Sequence, residues 1–375
     1  MRKTAELSVF SLIFAVACFH SWILDPREML NQGILIWDSK FLNDSANSIL
    51  DKNSDLSRPP FDLRIGYPLA AKVIGYLFSI DYSFSAYIVD LLCIFTLVHL
   101  INLQMTKFDI SLRSRILVIS VFLFQHNFPL RFAGYWPGSG FSTQVFSFYI
   151  AYIIIRKILS DGKISLPMFV LGLLALFTRE IFIITLLLYG VYLTPRRRNL
   201  EKRTFYNFWL SNALFLLCFV ALVVSTRSSE GNSIFSFFEM IQFQSQITIG
   251  NLNLFKLTYV LFSAYGMLAI LIIGSIYNSA SRHYLHSKFR SDEITKLPII
   301  MIFIGVTLAV VGGSDLERFF VWMYAPAAII IGVTVDYWIP HITKKVAIGV
   351  LIILTLQVRL FVPAFPHVFF PEINQ

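Results

Sequence analysis

A small set of polar side chains in this sequence could do chemistry together. Asp38 stands between Trp37 and Ser39, and Arg64 and Tyr67 follow in the same polar stretch. Arg131, the adjacent pair Arg179 and Glu180, and the pair Asp315 and Arg318 each interrupt a long apolar run. A carboxylate within reach of a hydroxyl can take its proton. A guanidinium presents a planar fork that matches the oxygens of a phosphate in pairs. Carboxylates facing arginines therefore suit a reaction in which a hydroxyl is deprotonated and an anion departs.

Each of these residues also has a purely structural reading. Asp38-Ser39 ahead of Phe41, Leu42, Ala46 and Ile49 is a good helix start, with Asp38 as its N-cap. Ser314 and Glu317 match a capping box. Asp315 and Arg318 could pair with each other, and Arg179 with Glu180, as a neutralised turn. Asp25, before Pro26, reads as a span boundary. Asp90 lies inside an apolar run, where a buried hydrogen bond to another helix is the default. The seven histidines lack metal-site spacing, and Cys18, Cys93 and Cys218 all fall in apolar runs, which suits packing better than disulfides or thiolate ligation. No phosphate-binding glycine loop, zinc signature or Ser-His-Asp order occurs. The acidic residues of 25–66 could hold a divalent metal, since hard cations prefer oxygen ligands. Asn43-Asp44-Ser45 is formally a glycosylation sequon, a short match of little weight.

The elements that must position these groups are apolar. The chain is 56% hydrophobic and 14% charged, with a mean hydropathy of +0.68, whereas soluble domains are about one quarter charged. Residues 7–24, 205–225, 253–277 and 346–362 each approach the roughly 20 residues needed to cross hydrocarbon. The first reads as a span rather than a cleaved leader, because no small-residue cleavage site follows it. The net charge of +9 is not a nucleic-acid stripe: 19 of the 31 basic residues fall in six short segments, at 2–3, 107–115, 156–163, 196–203, 282–296 and 344–345, which marks cytoplasmic loops.

Basic segments on both sides of an apolar stretch require an even number of crossings between them. Residues 165–193 then form two short helices with Thr178-Arg179-Glu180 at the outer turn. The same parity makes hairpins of 116–158, 205–277 and 297–343, with outer turns at His126–Thr143, Arg227–Asn251 and Gly312–Arg318. Segment 67–80 fits no span and is placed as an interfacial helix. The expected fold is all-α: one polytopic transmembrane helix bundle over residues 1–375, of about 11 spans. It carries a large first extracytoplasmic loop at 25–82, a cytoplasmic N-terminus and an extracytoplasmic C-terminus. All the polar residues introduced first then fall on the outer face, with Arg359 near the outer end of the last helix. No internal repeat is evident.

Trp37-Asp38-Ser39, a short helix, and then Arg64-Ile65-Gly66-Tyr67-Pro68-Leu69 resemble the first outer loop of GT-C glycosyltransferases. The likeness is to the branch of the GPI-anchor mannosyltransferases and their bacterial relatives. Leu176-Phe177-Thr178-Arg179-Glu180 is similar to the hairpin turn of many bacterial members. Gly312-Gly313-Ser314-Asp315-Leu316-Glu317-Arg318, leading to Pro326, is similar to their late loop. The chain departs from that pattern at Lys40-Phe41-Leu42 and Asp51-Lys52, which leaves sugar and acceptor open.

The resemblance implies transfer of a sugar from a polyprenyl-phosphate carrier to an acceptor hydroxyl on a glycan, lipid or protein, in a bacterial inner membrane. It implies Asp38 as base, with Arg179 and Arg318, and then Arg64 and Arg131, around the lipid phosphate. Two other classes stay open: a transporter or flippase, which would place ionisable groups near the midplane, and a saccharide polymerase, which would carry its largest outer loop late in the chain.

Overall fold

The computed structural model describes residues 2–24, 30–31, 33, 38–50, 64–124, 130, 133–134, 137–138, 140–226, 267–289, 292–312 and 322–341. Among them the secondary structure is helical, with no strand. The order is α1 (Arg2–Leu24), α2 (Asp38–Leu50), α3 (Gly66–Phe78), α4 (Tyr82–Lys107), α5 (Leu112–Phe124), α6 (Phe141–Asp161), α7 (Leu166–Thr178) and α8 (Ile181–Leu193). A 3-10 turn at Thr194–Asn199 precedes α9 (Lys202–Thr226), α10 (Met267–Tyr277), α11 (Ser279–Phe289), α12 (Glu293–Gly312) and α13 (Tyr324–Trp338).

Among the described residues three helices are long and apolar enough to cross a membrane: α1 over Glu6–Ile23, α4 over Tyr82–Lys107, and α9 over Lys202–Leu222. The α7–α8 pair makes a fourth if it is one broken span. Leu12, Phe19, Leu210 and Leu217 are at least 60% exposed on α1 and α9. Such apolar faces need lipid or a protein partner beside them. The last expected span and the outer turns at Arg227–Asn251 and Gly313–Arg318 lie outside the described residues.

Helix α6 is the axis of the packing. It touches α4, α7, α8, α9, α12 and α13, and Phe148, Tyr149, Ile150, Ala151 and Tyr152 are completely buried on it. Local sequence sets the element ends. The Asp81 carboxylate accepts from Phe84 N at 2.8 Å and starts α4. Gly162, in the left-handed region, closes α6 through its N–H to Ile158 O at 2.8 Å. Asp292 and Thr295 cap α12 reciprocally, at 2.7 and 3.2 Å.

The two ends of the bundle differ in chemistry. At one end the basic segments gather. Arg115 is 3% exposed, and its Nη1 donates to Asn102 Oδ1 at 2.6 Å, Thr106 Oγ1 at 2.7 Å and Glu6 Oε2 at 3.1 Å. Arg156 donates to Gln104 Oε1 at 2.5 Å, Ser114 Oγ to Asp336 at 2.7 Å, and Tyr192 OH to Glu293 at 3.1 Å. Arg115, expected as a loop cation, is thus a buried tie among α1, α4 and α5. Asp81 and Asp90 lie toward the other end of α4, a helix of 26 residues and so about 39 Å long.

Of segment 67–80, residues up to Phe78 are helical, within α3, and the helix is folded back antiparallel on α4. Tyr67 reaches Asp90 while Gly75 lies against Ser85. Its outward side is apolar, with Val73, Tyr76, Leu77 and Phe78 exposed.

Candidate functional site

Four pieces of chain meet at the end opposite the basic segments: the α7–α8 turn, the N-terminus of α6, the Arg64–Tyr67 segment, and α2. Helices α7 and α8 bend by 115° about Arg179-Glu180, where the sequence places a turn. Thr178 Oγ1 donates to Ala175 O at 2.8 Å, and Ser147 Oγ of α6 donates to the same carbonyl at 3.0 Å. Ala175 O also takes the Arg179 N–H at 3.0 Å, and the bond from Ser147 pins the tip of α7 to α6.

Arg179 follows in extended conformation, with φ −156° and ψ 133°. Its side chain is 2% exposed, and Nη2 donates to Gly140 O at 3.1 Å. The same carbonyl accepts from Thr143 Oγ1 at 2.6 Å. Gly140 has φ +65°, and a Cβ there would lie 2.9 Å from Arg179 Nη2. The left-handed backbone favours glycine, and a Cβ would also push the guanidinium end from its place.

Glu180 binds Arg64 through both carboxylate oxygens. Nε donates to Oε2 at 2.9 Å and Nη2 donates to Oε1. Both side chains are mostly buried, and bidentate geometry is the strong form of such a pair. Gly66 allows the approach, since a Cβ there would be 3.1 Å from the Phe177 carbonyl carbon and oxygen. The Arg64–Leu69 motif and the Leu176–Glu180 motif are therefore one packed unit.

Beneath them lies Asp90, 1% exposed. Tyr67 OH donates to its Oδ2 at 2.9 Å, and Ser142 Oγ donates to its Oδ1. Arg179 is close enough to act on the Asp90 carboxylate through its charge. Tyr67 is 1% exposed, and its hydroxyl is bonded to Asp90. The bond ties α3 to α4.

Asp38 is the first residue of α2, and its side chain is not among those described. Leu42, one turn later on the same helix face, is buried 3.5 Å from the position a Gly140 Cβ would take. Helix α2 thus packs onto the residue that holds Arg179. Arg131, Asp315 and Arg318 lie outside the described residues. Trp322, four residues beyond Arg318, donates from Nε1 to Gln144 Oε1 at 2.7 Å and so anchors the start of the last described hairpin arm to the first turn of α6.

Among the described residues no three His, Cys, Asp or Glu side chains converge as a metal site would require. Of the acidic residues of 25–66, only Asp44 has a described side chain. The sequence reading left out Ser142 and Gly140 and assigned Asp90 no role beyond a buried hydrogen bond. The signal for Asp90 was present, since an ionisable residue within an apolar span is costly and needs a reason. Gly140 and Ser142 carried no signal beyond a local Gly-Ser-Gly run. No family model, curated protein or solved structure matches this chain.

Proposed function

We propose that the chain is a polytopic membrane glycosyltransferase, like the GT-C enzymes its motifs resemble, and that it moves a sugar from a polyprenyl-phosphate carrier to an acceptor hydroxyl. The observation that carries this is the buried Arg179, held on the Gly140 carbonyl beside the packing face of the helix that begins at Asp38. The guanidinium is 2% exposed and within charge reach of Asp90 and Glu180, so its planar fork is held in a fixed orientation, the form that suits the oxygens of a phosphate.

In the reaction, the Asp38 carboxylate takes the proton of the acceptor hydroxyl. The oxygen attacks the anomeric carbon, and the bond from that carbon to the phosphate oxygen breaks. The lipid monophosphate leaves with the bonding electron pair, its charge met by Arg179 and by Arg318. Arg64 acts indirectly, by holding Glu180 and so the α7–α8 turn. Arg131 and Asp315 stand as further donor contacts on the outer face. The membrane is a bacterial plasma membrane, with the basic end cytoplasmic as lysine and arginine bias dictates. Of the eleven expected spans, the last, 346–362, lies wholly outside the described residues.

A transporter of lipid-linked sugars is the second reading, favoured by the buried Asp90 and the broken α7–α8 pair. Purified full-length protein in detergent, given a panel of polyprenyl-phosphate sugars with cell-envelope acceptors, separates the two. Transfer releases free polyprenyl phosphate in step with glycosylated acceptor. Movement of an intact donor across a vesicle with no release of lipid phosphate establishes the transporter instead.

A further inference from the structure

A cavity of about 410 Å³ opens at the basic end, remote from the candidate site. Helix α11 supplies Arg282, Leu285, His286 and Phe289, the i, i+3, i+4, i+7 stripe of one helix face. Helix α12 adds Lys296 and Ile299, and α13 adds Ile330. The lining is divided by chemistry, with three nitrogen cations or cation precursors and a floor of aliphatic and aromatic carbon.

Of the nearby acids among the described residues, only Glu293 meets a cation of the lining, Lys296. Asp336 accepts from Ser114 and from Ser111 N, at 2.7 and 3.3 Å. Asp292 caps α12. Glu293 takes the Tyr192 hydroxyl at 3.1 Å and meets Lys296 at 3.4 Å. Arg282 and His286 make no ion pair among the described residues.

From Lys296 an exposed apolar stripe runs along α12. Ile299, Phe303 and Val306 are 36%, 68% and 42% exposed, and their spacing keeps them on one face. We propose that this cavity seats the phosphate of an anionic phospholipid from the leaflet at the basic end, with its acyl chains along Ile299, Phe303 and Val306. A soluble phosphate would be served by the cations alone and would leave the apolar floor and stripe without a partner. Basic pockets between helices, at the level where lipid phosphates lie, meet both halves of a phospholipid at once. The site rests on the membrane reading and is independent of the transfer chemistry.

Thermal unfolding of the full-length protein in neutral detergent tests it, with added phosphatidylglycerol, phosphatidylcholine of the same chains, glycerol phosphate or inorganic phosphate. Phosphatidylglycerol alone should raise Tm. Arg282→Gln and Lys296→Gln should each raise the half-effective phosphatidylglycerol concentration about fivefold, and together about 25-fold, at roughly 1 kcal/mol per cation. Lys288→Gln, on the same helix but off the cavity, should leave it unchanged. If the double variant does not fold, the two single variants decide. An equal response to phosphatidylcholine, an equal shift from glycerol phosphate or inorganic phosphate, or an unchanged response in the Arg282 and Lys296 variants overturns the proposal. Sugar transfer enters none of these readings, so the lipid site and the transferase fail separately.

Discussion

Arg179 is the residue on which the account turns. It is buried at a helix break, its backbone is extended, and its guanidinium is aimed by a carbonyl that only a glycine can offer so closely. Lysine at this position keeps the charge but loses the planar fork. Arg179→Lys should therefore lower transfer about 100-fold, as for loss of one oriented donor to a developing anion, with little change in donor KM. Equal loss in kcat/KM through KM alone would instead mark Arg179 as a ground-state binder. Steady-state kinetics on detergent-solubilised protein separate the two.

At the scale of elements, the site depends on the α7–α8 turn being seated on α6 by Gly140. Gly140→Ala adds a Cβ at 2.9 Å from Arg179 Nη2 and forces a non-glycine residue to φ +65°. It should cost about 1–2 kcal/mol of stability and displace Arg179, so that transfer falls by more than stability alone explains. Thermal unfolding and activity measured on the same preparation read the two effects.

This hairpin was the most legible part of the sequence. Basic residues at 156–163 and 196–203 flank an apolar stretch with Arg179-Glu180 in its middle, and parity leaves one solution. The partners of its tip were not legible. Glu180 takes Arg64 from 116 residues away, and Asp90 takes Tyr67 and Ser142 from other helices. Side-chain pairing across helices is set by packing depth and rotation, and an apolar run of Ile, Leu and Phe records neither. Helix α3 makes the same point. Its apolar content marked a helix near the membrane, while the small Gly75 against Ser85 and the Tyr67–Asp90 bond, which fold it onto α4, read as ordinary letters. Arg115 misled in the opposite direction, because a basic residue in a short loop looks solvated until Asn102, Thr106 and Glu6 are seen around it.

At the scale of the whole molecule, the long α4 separates a basic end from an end where a carboxylate, a buried guanidinium and a bidentate ion pair meet. Single cysteines at Lys163 and Ser79, both exposed, should react with a membrane-impermeant maleimide from opposite sides of sealed vesicles, in a background without the three native cysteines. Labelling of both from one side would contradict the two-ended bundle. The most direct test of the central claim is the transfer rate of Asp38→Asn, with thermal unfolding of the same sample as control. The expected result is an unchanged Tm, retained donor binding and no detectable release of polyprenyl phosphate. Transfer at the parental rate with an unchanged Tm would remove Asp38 from the chemistry and the proposed mechanism with it.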